Sequence, residues 1–294
     1  MKFLSGFIAI VGPPNVGKST LLNRILGKKV AIVSPKPQTT RNRITGVYHE
    51  RECQMVFMDT PGIHKTQTPL HKSMVNSAQS VFKEVDLLVL LIEMHRPHAP
   101  EIPMILSNIR KSKKPSILVI NKIDKGPKEL LLPIIAEYGE KRSFRSIIPI
   151  SALTGDGVEN LLRELKSMLR EGPAFFPEDV QTDQSESFLV SETIREKIFL
   201  HTRQELPYSS AVTVDRLEEL PERDLVSISA KIHVESESQK GILIGQGGKM
   251  IKKIGQTARE ELESFFESRV FLELRVKVDK NWSKDPRSLR RLGY

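Results

Sequence analysis

Short apolar runs punctuate the first 170 residues, and between them apolar positions recur three and four apart. The runs at 7–11, 86–92 and 116–120 carry almost no polar residue, the pattern of strands covered on both faces. Further strands are expected at 44–49, 54–58 and 147–150, and the helical spacing predicts helices over 20–26, 70–84, 100–112, 127–139 and 158–169. Strands alternating with helices predict an α/β unit, a mainly parallel sheet with helices on both faces. Sheets of that kind bind ligands outside the carboxyl ends of their strands.

Beyond residue 172 the order changes. The stretch 173–186 opens with prolines, turns acidic and polar, and reads as a linker. A helix is expected over 187–204, strands over 209–215 and 225–234, and a short helix over 239–243. A longer helix over 249–267 sets Ile251, Ile254, Ala258, Leu262 and Phe265 at helical spacing. The last strand alternates Val270, Leu272, Leu274, Val276 and Val278 at period two. The order α-β-β-α-α-β is not a doubly wound one. It predicts a separate α+β domain, so the expected division is 1–172, a linker 173–186, and 187–294.

Composition narrows the classes. The chain has 294 residues, a net charge of +9 and one cysteine, Cys53. One cysteine excludes an internal disulfide and any cysteine-cluster metal site. No apolar run reaches the roughly 18 residues that would cross a bilayer. No export signal is visible, and a cytoplasmic location is expected. The basic excess is uneven: residues 1–172 hold 26 Lys and Arg against 15 Asp and Glu, and residues 173–294 hold 19 against 21. A polyanion partner is one reading of this charge, a merely soluble basic protein the other.

Four segments at predicted strand ends carry chemistry. Gly12-Pro13-Pro14-Asn15-Val16-Gly17-Lys18-Ser19 fits G-x-x-x-x-G-K-[ST] between a strand and the helix that takes in Thr20. Backbone N–H groups and the helix N-terminus face phosphate there, Lys18 reaches the β and γ phosphates, and the Ser19 hydroxyl binds Mg²⁺. Asp59-x-x-Gly62 adds a carboxylate for the Mg²⁺ and a glycine whose N–H approaches the γ-phosphate. Asn121-Lys122-Ile123-Asp124 selects guanine. The two oxygens of Asp124 take the ring N–H and the exocyclic amino group, and adenine would leave that carboxylate unpaired. Asn121 ties this loop to the first, the Lys122 stem covers the base, and Ser151-Ala152 supplies a backbone donor to the guanine oxygen. Farther on, Gly245-Gln246-Gly247-Gly248 lies between two predicted helices, followed by Lys249, Lys252 and Lys253 and preceded by Ile242 and Ile244. The last twenty residues are basic, with Trp282 among them. This tail is either solvated or faces RNA, and Trp282 either stacks on a base or anchors the tail.

These motifs resemble those of the translation-factor-like GTPases over nearly all of 1–170. The resemblance implies a Thr in the first mobile loop that ligates Mg²⁺ and senses the γ-phosphate. Gln38-Thr39-Thr40-Arg41 offers the candidates, and Thr40 is favoured by its place before Arg41. It also implies catalytic parts for Lys18, Thr40 and Gly62. Ile63 stands where signalling GTPases carry a water-orienting Gln. It has no polar group, so slow intrinsic hydrolysis is expected. In the subclass with a hydrophobic residue there, an Asn at the position of Asn15 ligates K⁺. The second domain resembles a type II KH domain, whose G-x-x-G loop clamps about four nucleotides of single-stranded RNA. Here Ile242, Ile244, Gly245, Gln246, Gly247, Gly248, Lys249, Lys252 and Lys253 are its RNA-binding candidates.

A GTPase domain joined to a type II KH domain is the architecture of the Era GTPases, and the resemblance spans the chain. It implies binding to the 3′ end of 16S ribosomal RNA, a role in maturing the 30S subunit and peripheral association with the inner membrane; a monomer is expected. Pro13 departs from the polar or basic residue of many relatives. Two alternatives stay open: a nucleotide-regulated RNA-binding module with negligible turnover, and a GTPase of tRNA modification.

Overall fold

The computed structural model describes residues 2–294 apart from 35, 37–38, 61–69, 71–73, 75–79 and 141–142. The main chain divides between Asp183 and Gln184 into two compact units.

The first unit holds a seven-stranded sheet built from β1 (Leu4–Val11), β2 (Ile44–Glu50), β3 (Cys53–Asp59), β4 (Leu87–Glu93), β5 (Ser116–Asn121), β6 (Ser146–Pro149) and the two-residue β7 (Arg170–Glu171). The order is β2-β3-β1-β4-β5-β6, with β7 paired to the start of β1. All pairings are parallel except those of β2 and β7. Its helices are α1 (Lys18–Leu26), α2 (Ile102–Ser112), α3 (Leu131–Glu140) and α4 (Val158–Met168). The strands are apolar throughout because both faces are covered. Ala9, Val11, Leu88, Leu90 and Ile120 pack with Ile102, Ile105 and Ile109 of α2 and Leu131 and Ile134 of α3. The alternate residues Ile8, Ile10, Leu91 and Val119 are fully buried on the other side. There α1 lies so close that a Cβ on Gly46 would come within 2.6 Å of Leu26 and 2.7 Å of Leu22. Most of the helix expected over 70–84 falls outside the described residues. Its last turn, 80–84, is helical and buries Val81 and Phe82.

The stretch read as a linker is not free chain over 175–182. Gln54 Oε1 accepts from the N–H groups of Phe175 (2.7 Å) and Phe176 (3.0 Å), and its Nε2 donates to Phe176 O at 2.8 Å. Val47 N donates to Gln181 O at 2.8 Å, and Thr182 Oγ1 to Thr45 O at 2.7 Å. The polar composition gives no sign of this. The reasons are the edge strand β2, whose Val47 N–H and Thr45 C=O take partners from this passing chain, and the Gln54 side chain of β3, which takes three more.

The second unit runs α5 (Glu186–His201), β8 (Ala211–Leu220), β9 (Leu225–Val234), α6 (Glu237–Ile244), α7 (Lys249–Phe266), β10 (Arg269–Val278) and a short α8 (Pro286–Arg291). Its sheet is β10-β9-β8, with β10 parallel and β8 antiparallel to β9. The α-β-β-α-α-β order is the expected one, with α8 added. β8 runs five residues past its predicted end at 215, through a bulge between Val214 and Arg216. On α7, Ile254, Ala258 and Leu262 form the buried spine, continued by Phe266; Phe265, read at helical spacing with them, is 43% exposed. A strict four-residue step carries the spine past Phe265. Trp282 is fully buried, its Nε1 donating to Ser209 O at 3.0 Å and its ring stacked on Tyr294. It anchors the tail and is not available to stack on a base.

Candidate nucleotide and RNA sites

In the first unit the loops that follow β1, β5 and β6 meet the end of β3 at the carboxyl edge of the sheet. A cavity of about 350 Å³ opens there, lined by Asn15, Gly17, Lys18, Ser19, Thr20, Thr40 and Lys122 among others. The loop after β1 turns through two residues in the left-handed region, Asn15 (φ 61°) and Gly17 (φ 101°). A Cβ on Gly17 would come within 2.4 Å of Asn121 Nδ2, and one on Gly12 within 2.4 Å of Leu91 O. Gly12 is therefore required by the close passage of β4.

Three oxygen ligands expected for Mg²⁺ are brought together. Ser19 Oγ donates to Asp59 Oδ2 at 2.6 Å and lies 2.9 Å from Thr40 Oγ1. Since the Ser19 proton goes to Asp59, Thr40 donates to Ser19. Asp59 Oδ1 is buried with no hydrogen-bond partner. Burial, the dominant cause, pushes the Asp59 carboxyl up to about 6, against the pull of the Lys18 charge and the Ser19 hydrogen bond. Lys18 is also buried, which lowers its pKa, while Asp59 and Glu101 act in the opposite direction. Its Nζ donates to Gly12 O at 3.2 Å and Pro13 O at 2.9 Å. Two opposite charges thus stand at the base of the cavity, both penalised by burial. An anion at the ammonium and a hard cation at the carboxylate and hydroxyls would relieve both. Among the described residues no cluster of three or more His, Cys, Asp or Glu could cage a metal alone. The donor set suits an ion that shares its shell with phosphate oxygens.

Asn121 ties the base loop to the P-loop as expected, and two further bonds hold the base loops. Asn121 Nδ2 donates to Val16 O at 2.7 Å, and Lys122 Nζ to Asn15 O at 2.8 Å. Asp124 Oδ1 accepts from Ser151 Oγ at 2.6 Å. Of the Ser151-Ala152 pair, expected to supply a backbone donor to a guanine oxygen, Ala152 N here donates to Asn121 Oδ1 at 2.9 Å. Arg24 of α1 donates to the carbonyls of Ala152 and Leu153 from the far side. No motif pointed to it, since an arginine at the end of an amphipathic helix carries no local signal. Gly62 and Ile63 lie outside the described residues, as does Gln38.

In the second unit the turn between α6 and α7 places Gly245 (φ 72°), Gly247 (φ 59°) and Gly248 (φ 77°) in the left-handed region. A Cβ on Gly247 or Gly248 would meet no atom within 4 Å, so the loop presents bare backbone. Gln246, Lys249, Lys252 and Lys253 are exposed, Ile242 is exposed and Ile244 half-buried. Beside this turn runs a groove of about 370 Å³ between α7 and β10, lined by Ile251, Lys252, Gly255, Gln256, Arg259, Leu272 and Leu274. Of these only Lys252 was expected at the site. Leu272 and Leu274 showed only the alternation of a core strand.

A family model described as a 50S ribosome-binding GTPase matches residues 7–122, and one for the KH domain matches residues 205–283. GTPase Era of Syntrophus aciditrophicus (strain SB) is 54% identical over 294 residues, covering 100% of this chain and 96% of that one. The chain belongs to the Era GTPase family. GTPase Era of Geotalea uraniireducens (strain Rf4) is 52% identical over 293 residues, covering 100% of this chain and 98% of that Era. Two Era crystal structures superpose along the whole length. A variant of Aquifex aeolicus Era bound to GDP·AlF4⁻ has a TM-score of 0.96 and 42% identity, covering 100% of this chain and 99% of that one. Era in complex with MgGDPNP and nucleotides 1506–1542 of 16S ribosomal RNA has a TM-score of 0.96 and 41% identity, covering 99% of each chain. This Era-family chain is a GTPase with a P-loop GTPase domain of mostly parallel sheet and a C-terminal KH domain. No described helix is long and apolar enough to cross a membrane.

Proposed function

We propose that this GTPase is a nucleotide-dependent switch that binds the 3′ end of 16S ribosomal RNA and acts in 30S subunit maturation. The observation that carries this reading is end-to-end likeness to an Era crystallised with MgGDPNP and a 16S RNA fragment. The nucleotide motifs line a cavity in the first unit, and in the second a groove runs between α7 and β10 beside the Gly245–Gly248 turn. Ser19, Thr40 and Asp59 would hold Mg²⁺, which when bound neutralises charge on the phosphates. Lys18 binds phosphate oxygens in place of its present carbonyl partners, Asp124 reads the guanine edge, and the Asn121 and Lys122 contacts hold the loops in register. Thr40 and Gly62 form the part that responds to the γ-phosphate. In the second unit the Gly245–Gly248 backbone and Lys249, Lys252 and Lys253 hold the RNA backbone, and Ile242, Ile244 and the groove beside α7 receive bases.

Switching requires different RNA affinities in the two nucleotide states. Equal affinity of the GTP-analogue and GDP forms would remove that part. Ile63 leaves intrinsic turnover slow, and Asn15 serves a K⁺ ion that assists hydrolysis; equal rates in K⁺ and Na⁺ at matched ionic strength would dismiss the ion. The protein acts as a cytoplasmic monomer with peripheral contacts at the inner membrane, which sedimentation and membrane flotation would check.

The test of the RNA assignment is crosslinking in cells with sequencing of the bound RNA, wild type against Gly248→Asp. Open space at Gly248 and the tolerance of Asp for the left-handed region keep the fold. The added charge faces phosphate, so 16S 3′-end reads should fall at least tenfold. Unchanged reads would sink the assignment.

A further inference from the structure

The loop that leaves β4 braces the guanine-recognition loop at three points. Met94 N donates to Asn121 O at 3.0 Å, Glu93 Oε2 accepts from Lys122 Nζ at 2.8 Å, and His95 Nε2 lies 3.2 Å from Lys125 O. Gly126 permits the fit, because a Cβ there would come within 2.7 Å of His95 Cε1. The β4 loop is itself closed by a bond from Arg96 N to Glu93 O at 3.0 Å. Neither Glu93 nor His95 belongs to a nucleotide-binding motif.

Glu93 is the member with a chemical consequence. Lys122 is a non-glycine residue in the left-handed region (φ 66°), and so is Asn15 (φ 61°), whose carbonyl it bonds. Such backbone persists only when its surroundings over-determine it. Lys122 Nζ is held between two fixed acceptors, Asn15 O and Glu93 Oε2, both at 2.8 Å. A lysine stem with four rotatable bonds is thereby confined to one path. Both side chains of the ion pair are only 21% exposed, so solvent screens it less than a surface pair. On charge alone, a carboxylate beside a polyphosphate site would weaken binding. The two effects have opposite signs, and the close, shielded contact favours positioning.

We propose that Glu93 is a positioning residue for guanine-nucleotide binding, acting through Lys122. The proposal rests on the reading of Lys122 as the residue that covers the base. Losing the charge-assisted hydrogen bond lets the Lys122 stem leave its path, and nucleotide must then restore it on binding. GDP affinity falls roughly tenfold in Glu93→Gln. KM for GTP rises, while kcat at saturating GTP stays at the wild-type value, because Glu93 touches no reacting atom.

The experiment measures binding of a fluorescent GDP analogue to the full chain in wild type, Glu93→Gln, Glu93→Asp, Lys122→Ala and the Glu93→Gln/Lys122→Ala double variant. Thermal unfolding without nucleotide is recorded for each. Support is a roughly tenfold loss in Glu93→Gln with unchanged unfolding temperature, partial recovery in Glu93→Asp, and no further loss from Glu93→Gln once Lys122 is Ala. Binding by Glu93→Gln as tight as or tighter than wild type overturns the proposal in favour of simple charge repulsion. The same tenfold loss in the Lys122→Ala background overturns it too, since the effect then bypasses Lys122, and so does a loss that tracks a lowered unfolding temperature. If Lys122→Ala itself binds GDP normally, the reading of Lys122 fails and this proposal with it. If that variant binds weakly while Glu93→Gln does not, only the proposal fails.

Discussion

Asp59 sits where its charge is poorly supported, and Asp59→Asn puts a magnitude on that. Its side chain is fully buried, one oxygen accepts from Ser19, the other has no partner, and its pKa rises from 3.8 to about 6. The folded state therefore holds the proton more tightly than the unfolded chain. The cost of burying the charge is absent below the unfolded pKa and complete once pH has risen through about 6. At 1.36 kcal/mol per unit, that cost is about 3 kcal/mol at pH 8 and about half of it at pH 5. Asn keeps an acceptor for Ser19 but places an N–H₂ donor at the unpartnered position, a pH-independent loss of about 1–2 kcal/mol. Lys18 also loses a carboxylate that partly offsets its own burial. The decisive quantity is the pH dependence: relative to wild type, Asp59→Asn should gain on the order of 1 kcal/mol of stability between pH 5 and pH 8. Calorimetric unfolding of the full chain in EDTA without nucleotide measures it, following the transition that GDP shifts in wild type. With Mg²⁺ and a GTP analogue the order reverses, because a neutral amide cannot balance the ion. A stability difference that stays flat or falls between pH 5 and pH 8 would refute the reasoning.

Other expectations follow from single contacts. Gly17→Ala forces a side chain onto φ 101° and to within 2.4 Å of Asn121 Nδ2, so GDP affinity should drop at least tenfold by fluorescence titration. Glu192→Gln leaves the fully buried Arg195 without its bidentate carboxylate and should cost the second unit about 3–5 kcal/mol in denaturant unfolding. Adding Arg195→Met should recover much of that loss, as neither charge then remains buried. Trp282→Ala should cost the same unit about 3–5 kcal/mol, with RNA binding at low temperature nearly unchanged because the ring is buried. A loss of RNA affinity in folded Trp282→Ala would revive the stacking alternative.

What could be read from the sequence follows a physical line. The P-loop was legible because its chemistry needs glycine, lysine and a hydroxyl within eight consecutive residues. The sheet was legible because burial on both faces leaves polar residues in β4 and β5 only at the strand ends. The reasons that cross the sheet were not. Gly12 is glycine on account of Leu91 O, nearly eighty residues away, and Ala152 N is taken by Asn121. Such constraints leave no local pattern. Nor does the docking of 175–182, since a polar stretch that satisfies an edge strand has the same composition as one that crosses open solvent. Helix α5 hid its buried side most completely. Glu192, Arg195, Glu196 and Lys197 lie inside because each has an oppositely charged neighbour, and burial of a charge is set by its partner.

The same distinction bears on how the nucleotide site can switch. Ser19, Thr40 and Asp59 come from α1, the stretch before β2 and the end of β3, yet their polar atoms already satisfy one another, apart from Asp59 Oδ1. A cation that recruits these oxygens exchanges internal hydrogen bonds for coordination, so the net gain is smaller than the coordination energy alone. Thr40 is bound to Ser19 by one hydrogen bond worth about 0.5–1.5 kcal/mol. A hold of that size can be exchanged when the γ-phosphate arrives or leaves. A stronger anchor would pin the loop in one state whatever nucleotide was bound, and a free loop would have to be ordered at each binding event. The weak hydroxyl contact lies between those limits, and so suits Thr40, rather than the doubly tied Asn121, to the phosphate-reporting part proposed for it.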